Sequence, residues 1–361
     1  MNQAQLLLPK ERREISILNV FLCCLVIFIH VSSAPITQLN PNSFQYLIVM
    51  VPWRLSAFVV QAFFLLSGIK FFLKREFHYK TFYLSRCKKI LLPYILWIIA
   101  YYIYFVLHHY FAFNLKDLCH YLATGTLASH FYFIIALLQF YLLMPLWRFL
   151  CKKIRPIPLL LGALLINLFV LKFLPGITER FLPNHTVLYD RIFITYIFYW
   201  LAGCCIGLHY KTFLAMLCRW RKLLLVGFVL AALVNVFLSK NKSLISSTNL
   251  DLVHFIYCNL AIFACYALTL SIKEYRIFES SLFQRINKAS FTIYLSHVLV
   301  INIINEQLYY HGITDIGACY LLRMIFTYLF TIGLCVIWNQ KKEQFLQKHN
   351  KHKKSPVNTI V

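Results

Sequence analysis

Ten apolar runs of 17–23 residues recur along the chain, at 15–34, 47–69, 90–110, 131–150, 157–174, 191–209, 222–238, 252–272, 291–308 and 318–338. At about 1.5 Å of rise per helical residue, each can cross a hydrocarbon layer about 30 Å thick. A single segment satisfies its own backbone donors and acceptors in lipid only as a helix. The pattern therefore predicts an all-α polytopic membrane protein with about ten transmembrane helices.

The polar segments between the runs alternate in charge. Lys10, Arg12 and Arg13 precede the first run, and seven cations lie between Lys70 and Lys89. Four each fall between Arg148 and Arg155, Lys211 and Lys222, and Lys273 and Lys288, and six between Lys341 and Lys354. Together these alternate segments hold 28 of the 36 Lys and Arg residues. Cytoplasmic loops retain such excesses, so both termini are expected in the cytoplasm and the protein in the cell membrane. Residues 1–340 read as one transmembrane domain, and 341–361 as a basic cytoplasmic tail lying near anionic lipid.

Composition changes the picture in two ways. The chain is 60% hydrophobic and 13% charged, with mean hydropathy +0.68, whereas a soluble domain carries about 25% charge. The net charge of +24 sits in loop clusters, which points away from nucleic acid and towards a bilayer. Most of the twelve cysteines lie inside apolar runs without a C-x-x-C pair, as small core residues do. No metal is expected. The basic start, long apolar run and Pro35 after Ala34 read as an uncleaved first span rather than a signal peptide.

Within that first span, Asn19, Cys23 and His30 share one helical face, with Asn19 and His30 about 16 Å apart along the axis. A polar stripe inside a membrane turns towards other helices or a watery cavity. His30 then either hydrogen-bonds a neighbouring helix or does chemistry.

Six segments in order resemble the membrane-bound acyltransferase-3 family. They are ILNVFLCCLVIFIH (17–30), FFLLSG (63–68), SRCKKILLPY (85–94), HFYFIIALLQFYLLMPLW (130–147), FYWLAGCCIG (198–207) and SFTIYLSH (290–297). The resemblance implies a bacterial cell-envelope enzyme that moves an acyl group from cytoplasmic acyl-CoA, most often acetyl-CoA, to a glycan or lipid-linked sugar hydroxyl. One position departs: Asn19 stands where the family usually has arginine, and Asn carries no charge. A catalytically altered family member is therefore one alternative.

His30 is the candidate general base, because neutral imidazole can take the proton of an attacking hydroxyl. Arg86 and Lys89, spaced i, i+3, suit the phosphates of CoA on one face of a helical turn, with Asn19 a further donor-binding candidate. Lipid headgroup contact is the competing role for these cations. Arg54, His130 and Arg191 are candidates for the acceptor cavity, with Tyr199 and His297 behind them; Arg54 equally suits snorkelling. Ser67 and Gly68 suit close helix packing.

A transporter or flippase is the competing class. All twelve acidic residues fall in loops or at span ends, and no G-x-x-x-x-G-K-[ST] stretch occurs. The expected topology places Lys116 and Lys211 on opposite sides of the membrane. Cysteine labelling at the two positions checks this, and equal accessibility from one side refutes it.

Overall fold

The computed structural model describes residues 12–73, 76–181, 188–242 and 247–354. Lys10, Lys74, Arg75 and the tail from 355 lie outside the described residues. Among the described residues every regular element is helical. The chain divides into two compact units, residues 1–40 with 272–361, and residues 41–271.

The first unit contains α1 (Arg13–Gln38), α13 (Ser281–Tyr310) and α14 (Ile316–Lys354). Its apolar core joins Cys23, Ile27 and Val31 of α1 to Ala289, Ile293 and Ile301 of α13 and Cys335 and Val336 of α14. Polar contacts set the register. The Tyr328 hydroxyl donates to the Cys24 carbonyl at 2.6 Å, and Ser32 and Tyr320 share a hydroxyl hydrogen bond at 3.2 Å. At the start of α1, Arg13 pairs with Glu279 at 2.5 Å and donates to the Lys273 carbonyl at 3.2 Å. Glu14 is at a span end, as expected, but completely buried. The boundary expected at 340 falls inside α14, which continues to Lys354.

The second unit runs from α2 (Phe44–Ser56) and α3 (Val59–Phe72) through α4 (Tyr79–Arg86), α5 (Leu92–Leu107), α6 (Leu115–Thr124), α7 (Tyr132–Leu142), α8 (Met144–Lys153) and α9 (Pro156–Phe181). It ends with α10 (Ile197–Leu208), α11 (Tyr210–Lys240) and α12 (Ser247–Ile272). Its tightest seam joins α3 to α10. A Cβ added to Gly68 would lie 2.6 Å from the Trp200 carbonyl oxygen, and one on Gly207 would lie 2.8 Å from that of Ile69. Gly203 meets the Leu65 carbonyl closer still. Between helices that gain nothing from excluding water, such backbone contact supplies the dispersion that holds them. Gly68 therefore has the packing role that FFLLSG suggested.

Among the described residues, seven helical segments are long and apolar enough to cross a membrane, and an eighth if α6 and the bent segment through Leu142 count as one. The expected ten differ for local reasons. The run 131–150 breaks at Leu143 between α7 and α8, and α10 is only 12 residues long. The run 291–308 lies in α13, 30 residues long, but Ser296, His297, Asn302 and Asn305 dilute its hydropathy.

The seam yields a paired expectation. Gly203→Ala should destabilise the protein by about 1–3 kcal/mol through overpacking. Gly333→Ala, where nothing lies within 4 Å, should be neutral or stabilising by up to about 1 kcal/mol. Thermal unfolding of the two variants in detergent checks the contrast.

Candidate active site

The stripe on α1 faces α13 rather than lipid. The Asn19 amide donates to Asn287 Oδ1 and to Ser290 Oγ, both at 3.1 Å, and the Cys23 thiol donates to the Ser290 carbonyl at 3.5 Å. Both Asn19 amide hydrogens are therefore engaged by α13. These two acceptors are uncharged, which suits an uncharged side chain.

Two turns further along α13, His297 meets His30, with ring centroids 4.9 Å apart and planes tilted by 54°. His297 is completely buried, whereas His30 is half-buried. His297 Nδ1 lies 2.7 Å from the Tyr294 carbonyl, which can only accept, so Nδ1 carries the hydrogen. In the neutral ring the lone pair is then on Nε2. Beside this pair, Ser296 Oγ contacts Cys335 Sγ at 3.2 Å. Sequence reasoning ranked His297 low; the signal for it was the histidine closing SFTIYLSH.

The second unit positions the other candidates. Arg86 ends α4, and residues Cys87–Leu91 then form a π-helical turn before α5. Wider winding removes Arg86 and Lys89 from the shared α-helical face expected of i, i+3 neighbours. Arg86 turns among aromatic rings, its guanidinium carbon 5.0 Å from the centroid of Phe71 and 5.7 Å from those of Phe82 and Tyr141. Lys89 is exposed.

Arg54 lies two residues before the end of α2, inside the broken span Phe44–Phe72. It donates to Asn235 Oδ1 at 3.1 Å, and the same oxygen accepts from His254 Nδ1 at 3.3 Å. The Cys258 thiol completes the chain by donating to His254 Nε2 at 3.4 Å. Arg54 Nε and Asn235 Nδ2 are buried donors that find no acceptor among the described residues. Sequence reasoning missed Asn235, His254 and Cys258. The i, i+4 spacing of His254 and Cys258 on one apolar run was their only trace.

His130 occupies the 3₁₀ turn Ser129–Phe131 ahead of α7. It is completely buried, its ring 4.1 Å from that of Phe131 and 5.7 Å from that of Tyr101. Arg191 reaches the end of α6. Its Nε donates to the carbonyl of Thr124 at 2.9 Å, and a terminal nitrogen pairs with Asp190 at 2.6 Å. Burial raises the Asp190 carboxyl above its ordinary value, and the Arg191 guanidinium opposes that rise. Gly125, at φ +65°, ends α6 and lets the chain fold back towards Phe131. His130 thus belongs to the turn ahead of α7 and Arg191 to the end of α6, while Arg54 belongs to a separate cluster.

Helices of this length and apolarity define an integral membrane protein with several spans. The chain belongs to the acyltransferase-3 family, whose description, Acyltransferase domain, matches residues 12–339. Membership implies transfer of an acyl group to a substrate hydroxyl, so the protein is an acyltransferase. No curated protein and no solved structure matches the chain.

The Arg191 contacts carry a stability expectation. Arg191→Gln should cost about 1.5–3 kcal/mol for each charge-assisted hydrogen bond lost. A fall in the unfolding temperature of the purified variant checks this, and unchanged stability would remove Arg191 from the scaffold at the end of α6.

Proposed function

We propose that this acyltransferase takes an acyl group, acetyl by the family's usual choice, from acyl-CoA on the cytoplasmic side. The acceptor is a hydroxyl of an extracytoplasmic or membrane-associated glycan or lipid-linked sugar. Both termini lie in the cytoplasm of a bacterial cell whose envelope is modified by the reaction. The observation that carries this reading is the His30–His297 pair on the inward face of α1 and α13.

His30 is the base. Its imidazole takes the proton as the acceptor oxygen attacks the thioester carbonyl, and it returns that proton to the CoA sulfur as the C–S bond breaks. His297, fixed by the Tyr294 carbonyl, holds its ring against His30 and limits the orientations that His30 samples. Arg86 and Lys89 hold donor phosphates, each a charge-assisted contact. Arg54 serves the acceptor, whose oxygens would satisfy the buried donors on Arg54 and Asn235. His130 and Arg191 serve the acceptor as well.

One observation favours a second reading, a family member with altered catalysis. Asn19 replaces a cation, and its amide hydrogens are directed to Asn287 and Ser290 rather than to a ligand. Asn19→Arg separates the readings: improved CoA affinity identifies position 19 as part of the donor site, whereas unchanged affinity leaves it a helix-packing residue.

Turnover of labelled acetyl-CoA by purified protein, with candidate glycan acceptors, tests the main reading. His30→Ala should lower transfer by about 10²–10⁴, the range of a positioned base, with CoA binding retained. Full activity in His30→Gln would exclude the base, since an amide can hydrogen-bond but cannot take up the proton.

A further inference from the structure

A cavity of about 520 Å³ opens beside α8, lined by Phe72, Tyr79, Arg148, Phe149, Cys151 and Lys152 among others. Its size lies within the range of small-ligand pockets, about 300–1,000 Å³. Its wall combines two chemistries. The Arg148 guanidinium carbon sits 4.4 Å from the Phe77 ring centroid and 5.5 Å from that of Phe72. A guanidinium held against ring faces keeps its N–H edges available for anions. Lys152, exposed one turn further along α8, adds a second cation. Neither forms an ion pair with a carboxylate among the described residues. Tyr79 and Phe149, 43% and 59% exposed, offer aromatic faces at the same opening.

The aromatic row continues beyond the cavity. Phe77 contacts Phe82 at 4.9 Å between centroids, and Phe82 contacts Phe71 at 5.3 Å. Arg86 lies against these last two rings, and its buried Nε finds no acceptor among the described residues. Two guanidiniums therefore stand against one row of rings. A ligand suited to this wall carries a planar ring for stacking and at least two phosphate groups for Arg148 and Lys152.

We infer that the cavity beside α8 binds the phosphorylated adenosine end of the acyl donor, with Arg148 and Lys152 on its phosphates and Tyr79 or Phe149 against its base. This assignment rests on the donor being acyl-CoA. It adds α8 to the donor site, with Arg148 and Lys152 at the adenosine end and Arg86 and Lys89 left for the donor's remaining phosphate charge. The sequence alone did not single out Arg148, because its aromatic partners come from α3 and from the segment ahead of α4.

The test uses the full-length protein in phosphatidylcholine nanodiscs, with calorimetric titration of CoA, of adenosine 3′,5′-bisphosphate and of pantetheine, which lacks the nucleotide. The Arg148→Gln, Lys152→Gln double variant should bind CoA and the bisphosphate at least tenfold more weakly, with any pantetheine binding and the unfolding temperature unchanged. A single Arg148→Lys variant guards against misfolding. It keeps the charge but loses the stacked fork, and should weaken the bisphosphate by a smaller factor. CoA affinity equal to wild type in the double variant overturns the assignment. So does complete loss of bisphosphate binding when phosphatidylglycerol replaces phosphatidylcholine, which marks the cations as headgroup contacts. Acetyl transfer measured in parallel separates the two claims. Turnover by wild type with an unchanged CoA KM in the double variant overturns the cavity assignment alone. Bisphosphate binding without acetyl transfer to any acceptor supports the cavity and counts against the proposed reaction.

Discussion

Hydrocarbon neither donates nor accepts hydrogen bonds, so a polar group buried in a membrane must find its partners within the protein. That constraint organises both units. In the first, Asn19, Cys23 and Ser32 on α1 are answered by side chains or carbonyls of α13 and α14, and the His30 ring packs against that of His297. In the second, Arg54 reaches Asn235 and His254, and the Tyr257 hydroxyl donates at 2.6 Å to the Leu55 carbonyl where the span breaks. Apolar packing closes the remaining distance, most tightly where glycines bring α3 and α10 into backbone contact. Burying polar groups therefore specifies helix pairing here as much as it serves chemistry.

The same constraint links structure to reactivity. A hydroxyl is a weak nucleophile at neutral pH and needs a base within hydrogen-bond reach. A histidine at a membrane-buried face supplies one without the cost of a resident charge, since the neutral ring is the active form. The half-buried position of His30, against the fully buried His297, divides the pair into an accessible member and a supporting one. The cations of the second unit are held differently. Arg86 and Arg148 are stacked on rings, whereas Arg191 is engaged by Thr124 and Asp190.

Most helices were legible because a 20-residue apolar run has few alternatives in lipid. The shared face of Asn19, Cys23 and His30 was legible too, because helical periodicity is local. What escaped the sequence was long-range or irregular. His297 lies 267 positions from His30, and nothing local announces that their rings meet. Asn235 and His254 gain meaning only beside Arg54, which Asn235 follows by 181 positions. The 3₁₀ turns ahead of α10 and the break at Leu143 depend on packing rather than composition, which is why two expected spans are shortened or divided.

The π-helical turn at Cys87–Leu91 has a consequence for how this protein tolerates change in chain length. A π turn holds one residue more than an α turn closed over the same rise. Removing that extra residue would let regular winding resume with α5 still in phase, whereas removing one from the regular winding after Leu92 would swing everything beyond it by about 100°. Tyr101 and Tyr102, now completely buried, would then rotate off the inner face of α5. The π turn is therefore the place in this 29-residue span where a one-residue deletion leaves the aromatic face turned inwards, while the same deletion a turn later would direct it to lipid.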